Sequence, residues 1–214
     1  MENVVYILPI LLFSVVVHEY AHGYVANLWG DPTAAVLGRL TLNPIPHIDP
    51  IGSILVPALL LLSPGGFLFG WAKPVPVNPD NFRDKRWGDV TVSLAGPASN
   101  LLLSFLFAAV WVIARMLLGI DPVVERLFYW AILLNLILAF FNLLPIPPLD
   151  GSHVLANFLP RRMAYRYMAL ARYGFLILIL VLVLPGFREI VWRIVLPPVQ
   201  LVGGFLVGLV NLLA

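Results

Sequence analysis

The residues best suited to chemistry lie together near the N-terminus, in the stretch His18-Glu19-Tyr20-Ala21-His22. This stretch fits the H-E-x-x-H pattern, in which two histidines four residues apart share one face of a helix and can hold one metal ion. A zinc ion used for hydrolysis keeps three protein ligands and activates a water molecule at its fourth position. Glu19 adjoins His18 and is predicted to be the general base, not a ligand. The pattern therefore predicts a hydrolytic zinc site that needs a third ligand.

The chain around this stretch is far more apolar than a soluble domain. Of its 214 residues, 61% are hydrophobic and 11% are charged, whereas soluble domains carry about 25% charged residues. Ionisable side chains at membrane depth are costly and usually functional, so three of them within five residues strengthen the metal hypothesis. The net charge of +2 and the scattered basic residues indicate no nucleic-acid partner. Without cysteine, the ligands must be His, Asp or Glu.

Four side chains are candidates for the third ligand: Asp150, His47, Asp49 and His153. Asp150 lies in the segment 142–151 (NLLPIPPLDG), where three prolines end a helix and free backbone carbonyls. Irregular backbone at membrane depth is tolerated only where it lines a cavity, which favours Asp150. His47 and Asp49 belong to a proline-rich loop expected at the membrane interface. His153 follows Asp150 in the same segment and is the weaker rival.

Apolar runs predict the membrane spans, each of which takes roughly 20 residues. Four runs come close to this length and a fifth ends with the chain: 4–27, 91–118, 127–146, 168–186 and 197–214. The shorter run within 51–71 is followed by Ser-Pro-Gly-Gly, a turn signal, and is predicted to be a re-entrant hairpin.

Two segments between the spans are predicted to be short interfacial β-strands. Val36–Leu42 is one, and Lys73–Asn78, in which Pro and Val alternate, is the other. Proline confines a strand to an edge, so a stiff interfacial connector is an equal alternative for the second segment. The expected fold is an all-α integral membrane protein with five to six transmembrane helices, a re-entrant hairpin and short interfacial strands.

The position of Asp150 predicts the topology. Its side chain can reach the depth of His18 and His22 only if the span 127–146 runs parallel to the first span. The segment 91–118 is one crossing between them, so 51–71 should not be another. In this arrangement nine basic residues lie on one side of the membrane and four on the other. The excess of positive charge places the N-terminus outside and the metal site nearer the cytoplasm. A six-span alternative divides the same charges eight to five, so the depth of Asp150 decides.

Three motifs resemble those of the site-2 protease family of intramembrane zinc metalloproteases. They are HEYAHG from His18, AGPASN at residues 95–100, and the segment 142–151; in this order they cover roughly residues 14–155. The resemblance implies that His18, His22 and Asp150 bind one zinc ion per chain and that Glu19 is catalytic. The second glycine that often follows the L-D-G motif is replaced here by Ser152, a change that we expect the turn to tolerate.

Two asparagines also match the motifs of this family. The resemblance implies that Asn142 places substrate or stabilises an oxyanion, as polar amides can. Asn100 is a weaker candidate, because an asparagine in a span more simply bonds between helices. The Gly96-Pro97 pair beside it is expected to start a helix.

The function implied is hydrolysis of peptide bonds in membrane-anchored protein substrates, within or near the lipid bilayer. A substrate helix must be unwound first, and Val75 and Val77 are predicted to receive the extended segment by strand addition. The chain resembles a compact, core-only member: one membrane-embedded metalloprotease domain over 1–214, with a core at 4–155 and accessory helices at 156–214. The expected location is a bacterial or archaeal cell membrane. No oligomeric state is predicted.

Two other functions remain open at this point. A non-catalytic ion or proton carrier would use the same buried charges as a relay, but it gives no reason for two histidines spaced four residues apart. An inactive relative of the proteases would bind membrane partners without cutting them, although the predicted base, Glu19, is intact.

Overall fold

The computed structural model describes residues 2–50, 52 and 72–213, with side chains from residue 7 onwards. The regular structure in these ranges is helical. The α-helices are α1 (Glu2–Leu28), α2 (Thr33–Val36), α3 (Lys85–Leu118), α4 (Pro122–Asn142), α5 (Asp150–Ala156), α6 (Arg161–Met168), α7 (Gly174–Val183) and α8 (Pro185–Leu213). Short 3₁₀ turns lie at Ile45–His47, Pro79–Asn81 and Ala169–Tyr173.

Five helical stretches of the described chain are long and apolar enough to cross a membrane. They are Ile7–Leu28, Lys85–Leu118, Pro122–Asn142, Arg161–Val183 and Pro185–Leu213. The predicted all-α membrane fold is thereby confirmed, with spans whose ends differ by several residues from the apolar runs. The re-entrant hairpin predicted for 51–71 lies outside the described residues, apart from Gly52.

Neither predicted interfacial strand forms where the chain is described. Val36 is the last residue of α2, and the backbone then turns, with Gly38 in the left-handed region at φ +64°. Residues 72–78 form a connector without strand pairing. The physical reason lies in Pro74 and Pro76, which have no N–H to donate to a ladder.

The expectation that Gly96-Pro97 starts a helix is wrong, because α3 begins eleven residues earlier. Asp84 is the N-cap, and its Oδ1 accepts a hydrogen bond of 2.9 Å from the Trp87 N–H. Pro97 therefore lies inside α3. It removes one helical hydrogen bond there, a loss that neighbouring helices make tolerable in a membrane protein.

The first three long helices run in alternating directions. The Arg83 N–H donates to the Trp29 carbonyl over 3.0 Å, so the end of α1 meets the start of α3. A three-residue turn, with Gly119 at φ +58°, then joins α3 to α4. Helix α4 consequently runs in the same direction as α1, which brings the start of α5 towards the C-terminal half of α1.

The larger apolar cluster of the described residues holds the later helices against this bundle. Ile132 and Leu136 of α4 are almost fully buried, and they share a cluster with Val195 and Val199 of α8. At the far end, the Arg115 guanidinium pairs with Glu125 of α4 and donates to the Asn211 side chain of α8. Helix α8 is thus packed on the bundle along most of its length.

Candidate metal centre

The structure brings His18, His22 and Asp150 together at one point. The Nε2 atoms of the two imidazoles lie 3.0 Å apart. Asp150 Oδ2 lies 3.1 Å from Nε2 of His18, and Oδ1 lies 3.4 Å from Nε2 of His22. One potential ligand atom from each residue lies within 4.8 Å of the other two. Both histidines are buried and the aspartate is partly buried.

The outer nitrogen of each imidazole has a defined acceptor. His18 Nδ1 donates to Oδ1 of Asn100 over 2.6 Å, and His22 Nδ1 donates to the Val92 carbonyl over 2.7 Å. Both acceptors belong to α3. Since a neutral imidazole carries one hydrogen, these bonds place it on Nδ1 and leave the Nε2 lone pair free. Metal-ligating histidines show this arrangement almost always.

The donor set fits a divalent cation such as zinc. Two Nε2 lone pairs and a carboxylate point into the same small volume, where they repel one another unless a positive charge lies between them. Asp150 Oδ2 is buried and has no hydrogen bond of acceptable geometry among the described atoms. Two imidazoles and one carboxylate are a ligand set that catalytic zinc sites use.

Asp150 is held by a tight turn that folds back on α4. A Cβ at Gly151 would lie 2.1 Å from the Leu143 carbonyl oxygen, so only glycine fits there. Ser152 is fully buried and its Oγ donates to the Leu149 carbonyl over 2.6 Å. The turn therefore holds the Asp150 carboxyl group next to the two imidazoles.

Glu19 follows His18 on α1, and its carboxylate contacts the connector 72–78. Its Oε2 accepts a hydrogen bond of 2.7 Å from the Val75 N–H. The Val75 side chain is buried, and its Cγ1 would lie 2.9 Å from a Cβ placed on Gly23 of α1. Val77 packs more loosely against a small cluster that includes Ala26. The connector is thus seated on α1 beside the predicted base.

The remaining predicted residues have hydrogen-bond partners outside the cluster of His18, His22 and Asp150. Asn142 is the last residue of α4, and its amide donates to the Leu138 carbonyl of the same helix. His47 is fully buried, with Nε2 bonded to the Thr41 carbonyl. The Asp49 carboxylate accepts from the Gly52 N–H. The convergence on His18 and His22 therefore selects Asp150 from the four candidates.

His153 lies one helical turn after Asp150 and pairs with another acid. Its Nδ1 is 3.6 Å from Oδ1 of Asp89, and Asn157 donates to the same carboxylate. The Asp89 carboxylate raises the pKa of His153 by hydrogen bonding and more than offsets partial burial. This pair connects α5 to α3 beside the metal ligands.

Sequence reasoning missed three residues that contact the site or its supports. Gly96 lies so close to the ligands that a Cβ there would be 2.4 Å from His22 Nε2 and 2.5 Å from His18 Nε2. Ser14 and Asn135 are fully buried and bond to each other and to Asn100. Ser14 precedes His18 by four residues, and polar side chains in apolar spans are a signal that could have identified both.

Comparisons with known proteins identify the family of this chain. The model of "Peptidase family M50" matches residues 119–183, a range that contains Asp150. "Putative zinc metalloprotease YwhC" of Bacillus subtilis is 40% identical over 192 residues, which cover 87% of this chain and 84% of the relative. No solved structure gives a significant match.

More distant relatives are longer than this chain. "Putative zinc metalloprotease Rip2" of Mycolicibacterium smegmatis is 31% identical over 187 residues, which are 83% of this chain and 66% of the relative. "Zinc metalloprotease MJ0392" of Methanocaldococcus jannaschii is 30% identical over 160 residues, 74% of this chain but only 36% of the relative. The similarity extends over most of this chain in both comparisons.

Proposed function

The chain belongs to peptidase family M50 and is an intramembrane zinc metalloprotease, and we propose that His18, His22 and Asp150 hold its zinc ion while Glu19 is the general base. The observation that carries this assignment is the convergence of the three side chains, with both Nδ1–H groups engaged elsewhere and both Nε2 atoms facing Asp150. Zinc, when bound, supplies Lewis-acid activation of water.

The chain's own residues then handle the protons and the substrate. The Glu19 carboxylate takes a proton from the attacking water and returns it to the departing amide nitrogen. The hydrogen bond from Val75 fixes the orientation of this carboxylate. Asn142, at the end of α4, is proposed to place the substrate or stabilise the oxyanion in the manner of a site-2 protease. The substrate is a membrane-anchored protein whose helix is opened before cleavage.

The layout of the molecule around this site follows the same proposal. Residues 4–155 form the protease core and 156–214 are accessory helices of one domain. The site is proposed to lie nearer the cytoplasmic side, because five basic residues (Arg39, Lys73, Arg83, Lys85 and Arg86) lie between the end of α1 and the first turn of α3.

The decisive experiment replaces Glu19 with Gln in the full-length protein in membranes or detergent. Since Glu19 is not a ligand in this assignment, zinc content should stay at one ion per chain while cleavage of a membrane-anchored substrate falls by at least about a hundredfold. Metal analysis and a gel-based cleavage assay measure both. Asp80→Asn, at an exposed carboxylate that pairs with Lys85, is the control. Retained cleavage would show that Glu19 is not the base, and loss of zinc would show that it is a ligand.

The same measurement separates the protease from its alternatives. An ion carrier would lose transport without ever showing cleavage, and an inactive relative would bind zinc and cut nothing in its wild-type form. The ion-carrier alternative does not account for two imidazoles whose Nε2 atoms face one carboxylate.

The connector 72–78 is proposed to receive the extended substrate, with Val75 and Val77 as its backbone contacts. Pro74 and Pro76 have no N–H, so these two valines supply the donors between residues 74 and 77. Val75 already uses its N–H on Glu19, which leaves Val77 as the cleaner position for a test.

Val77→Pro should slow cleavage about fivefold, because one backbone hydrogen bond of about 1 kcal/mol to the substrate is lost. Zinc content should not change. Val77→Ala, which keeps the N–H and trims only the side chain, is the matched control. Cleavage by Val77→Pro at the rate of Val77→Ala would reject substrate pairing along this connector.

A further inference from the structure

A chain of hydrogen-bonded, buried side-chain amides links the candidate metal centre to α4. His18 Nδ1 donates to Asn100 Oδ1 over 2.6 Å, and Asn100 Nδ2 donates to Asn135 Oδ1 over 2.9 Å. Asn135 Nδ2 in turn donates to the Ala131 carbonyl over 2.8 Å and to Ser14 Oγ over 2.9 Å. Asn100, Asn135 and Ser14 are fully buried. This series of hydrogen-bonded side chains therefore links α1, α3 and α4, and its three members are shielded from solvent.

Backbone carbonyls fix the direction of every bond in this chain. A carbonyl oxygen only accepts, so the Ala131 carbonyl requires the NH₂ group of Asn135 on its side. The Oδ1 of Asn135 must then face Asn100 and accept from it. The Ser14 carbonyl, 3.3 Å from Asn100 Nδ2, imposes the same orientation on Asn100. Flipping either amide would place two acceptors against each other in a dry site, which is costly.

The orientation of the Asn100 amide determines the tautomer of His18. With its NH₂ group turned towards Asn135 and Ser14, Asn100 can offer His18 only an oxygen. An oxygen requires a hydrogen on His18 Nδ1, so Nε2 is left with a lone pair directed at Asp150. His22 needs no such relay, because its Nδ1 donates directly to the Val92 carbonyl.

We infer that Asn135 is a positioning residue of the metal centre: acting through Asn100, it selects the His18 tautomer that can bind the cation and holds the plane of its ring. This inference rests on the proposed metal site. It assigns a function to an α4 residue that contacts none of the three ligands, and it gives Asn100 the role of the intermediate link.

The test measures zinc affinity of the full-length protein by competition with a chromogenic chelator. Loss of an outer-shell partner costs about 10–100-fold in metal affinity. We expect about a tenfold loss for Asn135→Leu and a loss up to a hundredfold for Asn100→Leu. The double variant should bind no more weakly than Asn100→Leu alone, because residues that act through one chain are not additive. Nitrogen NMR of the zinc-free protein should show His18 protonated on Nδ1 in the wild type and a mixture of tautomers in Asn135→Leu.

Ser104→Ala is the matched control. Ser104 is also fully buried, on α3, but its Oγ bonds only to the Leu101 carbonyl of its own helix. Its removal should leave zinc affinity within about twofold, as expected for a polar group outside the network. If Asn135→Leu does not fold, Asn135→Ser serves instead, since its hydroxyl is too short to accept from Asn100 and should give the same loss.

The outcomes separate this inference from the function on which it depends. Wild-type zinc binding together with unchanged affinity and tautomer in the Asn135 variant would overturn the inference alone, as would strict additivity in the double variant. A wild-type protein that binds no zinc would overturn the metal site and the inference together.

Discussion

At the scale of residues, the proposed metal centre combines three candidate ligands with hydrogen bonds to the outer nitrogens of both imidazoles. Each ring is bonded to α3, one through an amide and one through a backbone carbonyl. These bonds leave the ligand lone pairs directed inwards before any ion arrives. A site with this preorganisation spends little conformational entropy when it binds metal.

Gly96 allows a direct test of how closely α3 packs against the two imidazoles. In Gly96→Ala the new Cβ would lie 2.4–2.5 Å from both Nε2 atoms, so the imidazoles must move. We expect zinc affinity to fall by about a hundredfold, since ligand misplacement costs at least as much as loss of an outer-shell partner. Chelator competition measures the change.

The matched control for this substitution is Gly204→Ala in α8. A Cβ there meets no atom within 4 Å, and alanine is the better helix former. Zinc affinity and folding should be unaffected or slightly improved. Equal affinity in the Gly96 and Gly204 variants would mean that the ligands do not pack against α3 as described.

The spacing of His18 and His22 was readable from the sequence because both residues lie on one helix face, and helix geometry is local. Asp150 was also predictable, since three prolines and a carboxylate in an apolar context have few structural explanations. The role of Asn135 was not, because its partners depend on the relative register of three helices. No pattern within one segment encodes that register.

At the scale of elements, hydrogen bonds at Val75 and at Asn78 anchor the connector 72–78. Asp31, fully buried at the end of α1, accepts from the Asn78 N–H over 2.7 Å and from the Asn81 side chain over 2.8 Å. Three residues earlier, Val75 bonds to Glu19. Two carboxylates therefore hold the connector along α1. That of Asp31 is structural, and that of Glu19 is predicted to be catalytic.

Asp31→Ala should detach the connector. Burial raises the pKa of Asp31, but hydrogen bonds from Thr33, Asn78 and Asn81 outweigh it, so the pKa is lowered overall. Hydrogen bonds to a charged group contribute about 2 kcal/mol, and we expect a loss of stability of that size. Cleavage should fall as well, because Glu19 loses its oriented partner. Thermal unfolding in detergent measures the first effect.

The pH dependence of this difference has a defined sign. Because the folded pKa is depressed, the stabilisation by Asp31 is fully present above its unfolded pKa of about 3.9 and is lost as the pH falls through the folded value. The difference in stability between wild type and Asp31→Ala should be constant from about pH 5 to 8 and should become smaller only at lower pH. Asp80→Ala, which removes an exposed ion pair with Lys85, should show a much smaller difference. Similar losses in both variants would contradict the anchoring role.

The element boundaries show where sequence patterns mislead. Apolar runs end where polar side chains begin, whereas helices end where caps and prolines require it. Asp84 therefore extends α3 well beyond its apolar run, and Pro185 begins α8 before its apolar run starts. The predicted strand at Lys73–Asn78 failed because alternating prolines remove the donors that a ladder needs.

At the scale of the whole molecule, the parallel course of α1 and α4 allows a distant aspartate to complete the site. The bonds of Asp31 to residues 78 and 81, and of Arg83 to Trp29, hold the end of α1 beside the start of α3. That contact makes α1 and α3 antiparallel neighbours. The antiparallel course of α1 and α3 is also what the sequence predicts, because Asp150 can reach the depth of His18 and His22 only in this arrangement.

This arrangement predicts where two reporters should lie. Alkaline phosphatase or fluorescent-protein fusions inserted at Asp31 and at Lys85 should report from the same side of the membrane, the cytoplasmic one. A third fusion at Gly119, in the turn between α3 and α4, is the internal control and should report from the opposite side. Signals from opposite sides at Asp31 and Lys85 would contradict the antiparallel pairing of α1 and α3.

The wide separation of the ligands along the chain also bears on biosynthesis. Two of them emerge from the ribosome early, at positions 18 and 22, but the third follows some 130 residues later, after α3 and α4 have been made. A nascent chain that has inserted only its first helices therefore lacks a complete coordination sphere. If His18, His22 and Asp150 hold the zinc ion as proposed, this hydrolase can become active only after more than two-thirds of the polypeptide has been made.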